Sequence, residues 1–325
     1  MTIVVMLLFC IKLNLSRNLS IADTVVLMIA SFTIFDGLIG AGSNMAILRI
    51  AENAIDSYEY VNHMPDINEG NISSLIQNHN IDIKNIGFSY DNRRVLDNVT
   101  CIIKENEMTA IVGISGSGKT TLCNLIARFW DVNEGEIKIG GNNIKDYTVE
   151  NLMDNISMVF QGVYLFEDTI ENNIKFGNQN ATREEVVNAA KKAQCHDFII
   201  SLPQGYNTSI GEGGASLSGG EKQRISIARA MLKDAPIIIF DEATANIDPE
   251  NEDKLKLAIE SLTKNKTVIM IAHRLKTIRN ANQILVLNKG CIEQRGTHDE
   301  LMRQDGIYKD FINAKSMSEN WSLNN

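Results

Sequence analysis

Gly113-Ile114-Ser115-Gly116-Ser117-Gly118-Lys119-Thr120-Thr121 follows the apolar run Ala110-Ile111-Val112 and leads directly into a helix-like segment, Leu122 to Phe129. The pattern is G-x-x-x-x-G-K-[ST], in which glycines let the backbone curl so that successive N–H groups and a helix N-terminus face an anion. In that geometry Lys119 reaches the β- and γ-phosphates of a nucleotide and the Thr120 hydroxyl ligates Mg²⁺. Glycine-rich turns also arise for purely backbone reasons, so the loop has to be weighed with its surroundings.

Downstream, Ile237-Ile238-Ile239-Phe240 is a wholly apolar run that ends in Asp241-Glu242, and Thr267 to Ala272 is another, ending in His273. Nucleotide hydrolysis needs a metal ligand beside the phosphates and a group that orients or deprotonates water. Asp241 suits the metal, Glu242 suits the attacking water, and His273 is placed for a γ-phosphate contact, although a lone histidine at a strand end is more often structural. Upstream, Ile81, Ile83, Ile86 and Phe88 alternate imperfectly as a first strand, and Val99 to Ile103 offers a second. From Asn142 through Leu202 the chain reads as mostly helical. Gln283 to Leu287, the turn Asn288-Lys289-Gly290 and Cys291 to Gln294 read as a closing hairpin. Strands alternating with helices predict an α/β domain whose parallel sheet is covered on both faces, with ligands at the strand C-termini.

The chain has 325 residues, 44% of them apolar, enough for one large domain or two ordinary ones. A net charge of −9 argues against a dedicated nucleic-acid binder, which shows a basic face. Cys10, Cys101, Cys123, Cys195 and Cys291 are scattered without a C-x-x-C pair, as in a reducing compartment. Cys195-His196 is an adjacent pair with no metal-site partners nearby, so packing is its expected role.

Near the N-terminus, Ile3 to Ile11 is too short to cross a bilayer, whereas Ile21 to Gly40 is long enough. The first reads as the tail of a longer spanning helix. Asp36 lies inside the second run, either facing a helix bundle or at interfacial depth. Apolar residues at Leu48, Ala51, Ile55 and Tyr58 continue the helical period into a polar extension. Val61 to Asn80, with Pro65 and Gly70, reads as a linker, and the polar tail from Ser316 reads as unstructured. Lys12 and Arg17 bias the charge one way, but a large nucleotide-dependent domain outweighs two charges and is expected in the cytosol.

Leu217-Ser218-Gly219-Gly220-Glu221, followed by Lys222-Gln223-Arg224, resembles the signature motif of ATP-binding cassette (ABC) transporters, and the stretch from about Ile81 to Ala314 resembles their nucleotide-binding domain. Phosphate loop, signature, Asp-Glu strand and histidine occur in the family's order. The resemblance implies an α/β fold: a phosphate-loop ABC nucleotide-binding domain with a parallel sheet core, an antiparallel β-subdomain and a helical subdomain, preceded by a transmembrane helix. It divides the chain into a partial transmembrane domain at 1–60, a linker at 61–80, the nucleotide-binding domain at 81–315 and a disordered tail at 316–325.

Carried over residue by residue, Gly113, Ser115, Gly116, Gly118, Lys119, Thr120 and Thr121 bind ATP, and Thr120, Gln161 and Asp241 surround Mg²⁺. Tyr90 resembles the aromatic residue that stacks on adenine. Gln161, in Val159-Phe160-Gln161, resembles the glutamine that links the metal and water to the membrane domain, and it joins Glu242 and His273 in the catalytic set. Ser218, Gly219 and Gly220 resemble the second phosphate site, which closes over ATP held by another subunit. Ala245-Asn246-Ile247-Asp248 resembles the loop that crosses to that subunit, with Ala245 where serine is more usual. Gly211-Glu212 resembles an element of exporters.

The expected protein is thus an ATPase that powers export across the cell membrane. It contacts membrane lipid, pairs with a second ABC subunit in a homodimer or heterodimer, and has its nucleotide-binding domain in the cytoplasm. The cargo is an unspecified small molecule or peptide, and no nucleic acid is expected. Exporters of this type carry six spans where this chain offers part of one and a whole one, so a truncated half-transporter is expected. The competing reading is a truncated ATP-binding subunit that dimerises with or titrates a partner without transport. Soluble repair or translation ATPases on the same cassette fit less well, because of the span at Ile21 to Gly40.

Overall fold

The computed structural model describes residues 2–16, 20–63, 68–160, 162–214, 216–241, 249–272 and 275–323. It divides into two units, Met1–Ile67 and Asn68–Asn325.

The first unit is helical. Helices α1 (Thr2–Leu15) and α2 (Ile21–Asn62) meet where the Asn14 amide donates to the buried Thr24 hydroxyl at 3.1 Å. The Ser20 hydroxyl caps α2 by accepting from the Asp23 N–H, with the Asp23 carboxylate in the first turn. Among the described residues, α2 is the one helix long and apolar enough to cross a bilayer. Its 42 residues span about 63 Å, roughly twice a hydrocarbon core, so part of it extends beyond any span. Val26, Ile29, Phe32 and Leu38 are exposed along it, as is Asp36.

The second unit starts with the hairpin β1 (Ile81–Tyr90) and β2 (Arg93–Ile103). Strand β3 (Met108–Val112) then leads through the phosphate loop into α3 (Lys119–Ile126). Next, β4 (Glu134–Ile139) and β5 (Asn142–Asn143) complete an antiparallel sheet in the order β2-β1-β4-β5. The imperfect alternation in β1 has a physical cause. The register slips between Ile83 and Ile86, where Asn85 takes φ 47°, and this bulge returns Ile86 and Phe88 to the core face.

Helix α4 (Val149–Asn155) feeds β6 (Ile156–Val159). A helical region follows: β7 (Asp168–Thr169), α5 (Ile170–Lys175), α6 (Arg183–Lys192), α7 (His196–Ser201), β8 (Ser209–Ile210) and α8 (Gly219–Lys233), with β7 and β8 paired. The chain returns through β9 (Ile237–Asp241), α9 (Pro249–Thr263), β10 (Thr267–Ile271), α10 (Leu275–Arg279), β11 (Gln283–Asn288), β12 (Cys291–Gly296), α11 (His298–Met302) and α12 (Ile307–Leu323). The central sheet has the order β12-β11-β3-β10-β9-β6, parallel except for the edge strand β12. Both its faces are buried. Ile237, Ile239, Ile269 and Leu285 pack with Leu122 and Leu125 of α3 and the antiparallel sheet, while Ile238, Phe240, Met270 and Val286 pack towards the helices on the other side.

Three readings of the sequence change. The stretch read as a linker at 61–80 is docked from Asn68 onward: Gly70 N donates to Tyr147 O at 3.2 Å, Ile72 N to Asp146 O at 2.9 Å and Thr148 N to Ile72 O at 3.0 Å. These bonds satisfy an irregular backbone that no periodicity announces. The region from Asn142 to Leu202 contains the strand β6, whose four-residue run Ile-Ser-Met-Val is too short for periodicity to assign. The tail from Ser316 is helical to Leu323, because α12 is anchored by buried Tyr308 and Ile312 and elongation from a formed helix costs little.

Candidate functional site

The phosphate loop leaves the C-terminal end of β3 inside the central sheet. Two of its glycines are there for space. A Cβ at Gly113 would lie 2.2 Å from the Leu287 carbonyl oxygen, and one at Gly118, where φ is 102°, would lie 2.6 Å from Leu96 Cδ2. Gly116 faces open space, and its φ of 77° is what calls for glycine. The loop is tied to the β11–β12 turn through Gly290 N, which donates to Ser117 O at 3.2 Å.

Helix α3 starts at Gly118 with no side-chain cap, whereas α6, α8 and α11 each carry a full capping box. A helix start without a side-chain cap is suited to receive an external anion. Lys119 is only 7% exposed, and its ammonium donates to the carbonyls of Gly113 at 3.1 Å and Ile114 at 2.9 Å. The Ser117 hydroxyl is buried with no hydrogen-bond partner among the described residues. Ser115 and Thr120 are exposed, and Thr121 is buried.

The Thr120 hydroxyl donates to Asp241 Oδ1 at 3.3 Å, so the loop and the end of β9 converge. Two hard oxygen donors side by side suit Mg²⁺. These residues, with the uncapped helix and the unpartnered Ser117 hydroxyl, fit a nucleotide phosphate chain and its cation. Burial first, and the Asp241 carboxylate second, push the Cys123 thiol up, which favours its protonated form.

Tyr90 stands at the end of β1, half-buried, with Phe88 and Trp130 edge-on to it. Ser218 and Gly219 are exposed at the start of α8, and Gly220 is buried. Ser218 N and Oγ both donate to Glu221 Oε2, at 2.8 and 2.9 Å, and Glu221 N returns to Ser218 Oγ at 3.3 Å. This capping box explains the glutamate that ends the signature. Gln161, Glu242 and His273, together with the loop Ala245-Asn246-Ile247-Asp248, lie outside the described residues.

Residues that no motif identified also organise the domain. Arg229 of α8 donates to Asn173 O at 2.6 Å, Asn173 Oδ1 at 2.5 Å and Tyr164 O at 2.8 Å, and burial lowers its pKa to about 10. It lines an apolar cavity of about 340 Å³ with Phe129, Phe160, Phe166 and Phe176. Cys195 is buried in the helical region, and His196 Nδ1 lies 2.8 Å from Tyr206 Oη, so this pair packs as expected. No cluster of metal-binding side chains occurs among the described residues.

The family model described as ABC transporter matches residues 96–245. An ATP-dependent lipid A-core flippase of Syntrophus aciditrophicus (strain SB) is 47% identical over 276 residues, which is 85% of this chain and 44% of that protein. The same-named protein of Haemophilus influenzae (strain 86-028NP) is 48% identical over 232 residues, 70% of this chain and 40% of that one. A solved structure of a bacterial Atm1-family ABC exporter with ATP bound superposes with a TM-score of 0.73 at 37% identity, covering 90% of this chain and 52% of that chain. The chain thus spans about half the length of the relatives it matches.

Proposed function

Because this chain belongs to the ABC transporter family, we propose that it binds and hydrolyses ATP and that the hydrolysis powers export across a membrane. The carrying observation is the meeting of Thr120 and Asp241 at 3.3 Å beside the uncapped start of α3. When bound between them, Mg²⁺ supplies charge neutralisation on the phosphate oxygens. Lys119 turns from the loop carbonyls to the phosphates, the α3 N–H groups hold them, and the Tyr90 ring stacks on the base. Glu242 orients and deprotonates water, with His273 and Gln161 beside the terminal phosphate.

Ser218 and Gly219 are exposed at the start of α8, which favours a second subunit whose ATP they cover. α2 favours a membrane location for the first unit, with the nucleotide-binding domain in the cytoplasm. The flippase names extend the reading to the cargo: an amphipathic lipid, handed across the membrane by the assembled pair.

The test is Mg²⁺-dependent ATP hydrolysis by the full chain in detergent, before and after Glu242→Gln. Hydrolysis is expected to be nearly lost while ATP still binds; unimpaired turnover in that variant would sink the catalytic assignment.

A further inference from the structure

The turn after α3 contains two residues that neither the phosphate loop nor the signature accounts for. Arg128 takes φ 55°, an unfavourable backbone for a long side chain, yet it is only 4% exposed. Four hydrogen bonds hold it there. Its Nε donates to Asp131 Oδ1 at 3.1 Å, Nη1 to the carbonyls of Ile144 at 3.1 Å and Tyr147 at 3.2 Å, and Nη2 to the carbonyl of Asn68 at 2.5 Å. The turn is therefore closed on itself through Asp131 and pinned to two separate stretches of the domain, one at Asn68 and one at Ile144 and Tyr147.

Two residues on, Trp130 is 52% exposed. An indole buried for packing alone would hide more of its surface. Its ring stands against Tyr90 with centroids 5.4 Å apart and planes at 89°, and Phe88 meets Tyr90 at 4.8 Å and 90°. Phe88 and Trp130 close the triad at 6.3 Å and 58°. Both neighbours are perpendicular to Tyr90, so neither lies flat on it, and together they restrict the swing of its ring. A stacking platform that is already oriented loses less side-chain freedom when a base arrives.

We propose that Trp130 is a positioning residue for the nucleotide base: held by the Arg128-pinned turn, it fixes the plane of Tyr90 on which the base stacks. This rests on Tyr90 being the base-stacking residue. The role is specific to the base end of the ligand and independent of the phosphate loop.

The test separates the two ends of the nucleotide. Binding of Mg·ATP and of Mg·tripolyphosphate, which has no base, is measured by calorimetry on the full chain for the wild type, Tyr90→Ala, Trp130→Leu and Trp130→Phe. Trp130→Leu is expected to weaken ATP binding by about tenfold, within the range of base–aromatic stacking, and to leave tripolyphosphate unchanged. Trp130→Phe is expected to restore most of the loss. The chain has two tryptophans, so in a Trp321→Phe background the emission of Trp130 is expected to respond to ATP and not to tripolyphosphate.

If Tyr90→Ala loses ATP while Trp130→Leu binds it as the wild type does, the proposal is overturned and the reading of Tyr90 stands. If Tyr90→Ala itself binds ATP normally, that reading fails and the proposal with it. Equal loss of ATP and tripolyphosphate in Trp130→Leu would mark a purely structural residue and also overturn the proposal.

Discussion

Thr120 and Asp241 lie 121 positions apart in the chain and share a hydrogen bond of 3.3 Å between hydroxyl and carboxylate. Strand order makes the meeting possible. β3, which launches the phosphate loop, and β9, which ends in Asp241, are separated in the sheet only by β10, so their C-terminal ends open at the same edge.

On the proposed reading, that pair sets the cation requirement of the site. Asp241→Asn removes the charge and keeps the shape, and apparent Mg²⁺ affinity in the ATPase assay is expected to fall by at least about 10–100-fold. Thr120→Val is expected to fall in the same direction, and chelation by EDTA to abolish wild-type turnover.

Gly118 and Gly219 separate the needs of folding from those of function. A Cβ at Gly118 meets Leu96 Cδ2 at 2.6 Å with φ at 102°, so Gly118→Ala is expected to cost about 1–3 kcal/mol in denaturant titration. A Cβ at Gly219 meets nothing within 4 Å. Gly219→Ala is therefore expected to keep or slightly raise stability, since alanine favours a helix over glycine, while ATPase activity falls because the signature can no longer approach phosphate closely.

Glu221 is a helix cap. Glu221→Ala removes the partner of Ser218 N and Oγ and is expected to cost about 1 kcal/mol. Glu221→Gln keeps the side-chain oxygen and is expected to lie near the wild type in both thermal midpoint and turnover.

Alkaline pH should weaken the second unit through its buried thiols. Burial raises Cys101 and Cys195 from 9.0 to about 12, against smaller opposing effects of Arg295 and Arg224 respectively. In the unfolded chain these thiols lose their protons near pH 9, while in the folded chain they keep them until about 12. Their contribution is thus complete below pH 9 and is lost as pH rises through the window up to 12. Denaturant midpoints measured across that window are expected to fall, with a shallower slope in Cys101→Ala and Cys195→Ala; an unchanged slope would contradict the assignment.

Much of the site was legible in advance because it is local. The glycine spacing from Gly113 to Gly118 dictates a curled backbone in any context, and the apolar strand ending at Asp241 is a continuous run bounded by charge. Ser218 and Glu221, three apart, carry a capping signature in the sequence itself. Arg128, Trp130 and Arg229 were missed for the opposite reason. Each works through partners far away in the chain, Asn68, Tyr90 and Asn173, and no spacing links them. The bulge at Asn85 is intermediate: the broken alternation between Ile83 and Ile86 signalled an irregularity without saying of what kind.

By itself, then, the sequence determined the phosphate loop, the strands that read as unbroken apolar runs, the signature helix start and the apolar length of α2, because hydrogen bonding and periodicity over a few residues settle each of them. The tertiary structure alone decided that Thr120 meets Asp241, that the segment from Asn68 is docked through Arg128, and that Trp130 stands edge-on to Tyr90. Those contacts depend on the order of strands in two sheets and on which loops that order brings to one edge, a global outcome of burying both faces of the central sheet.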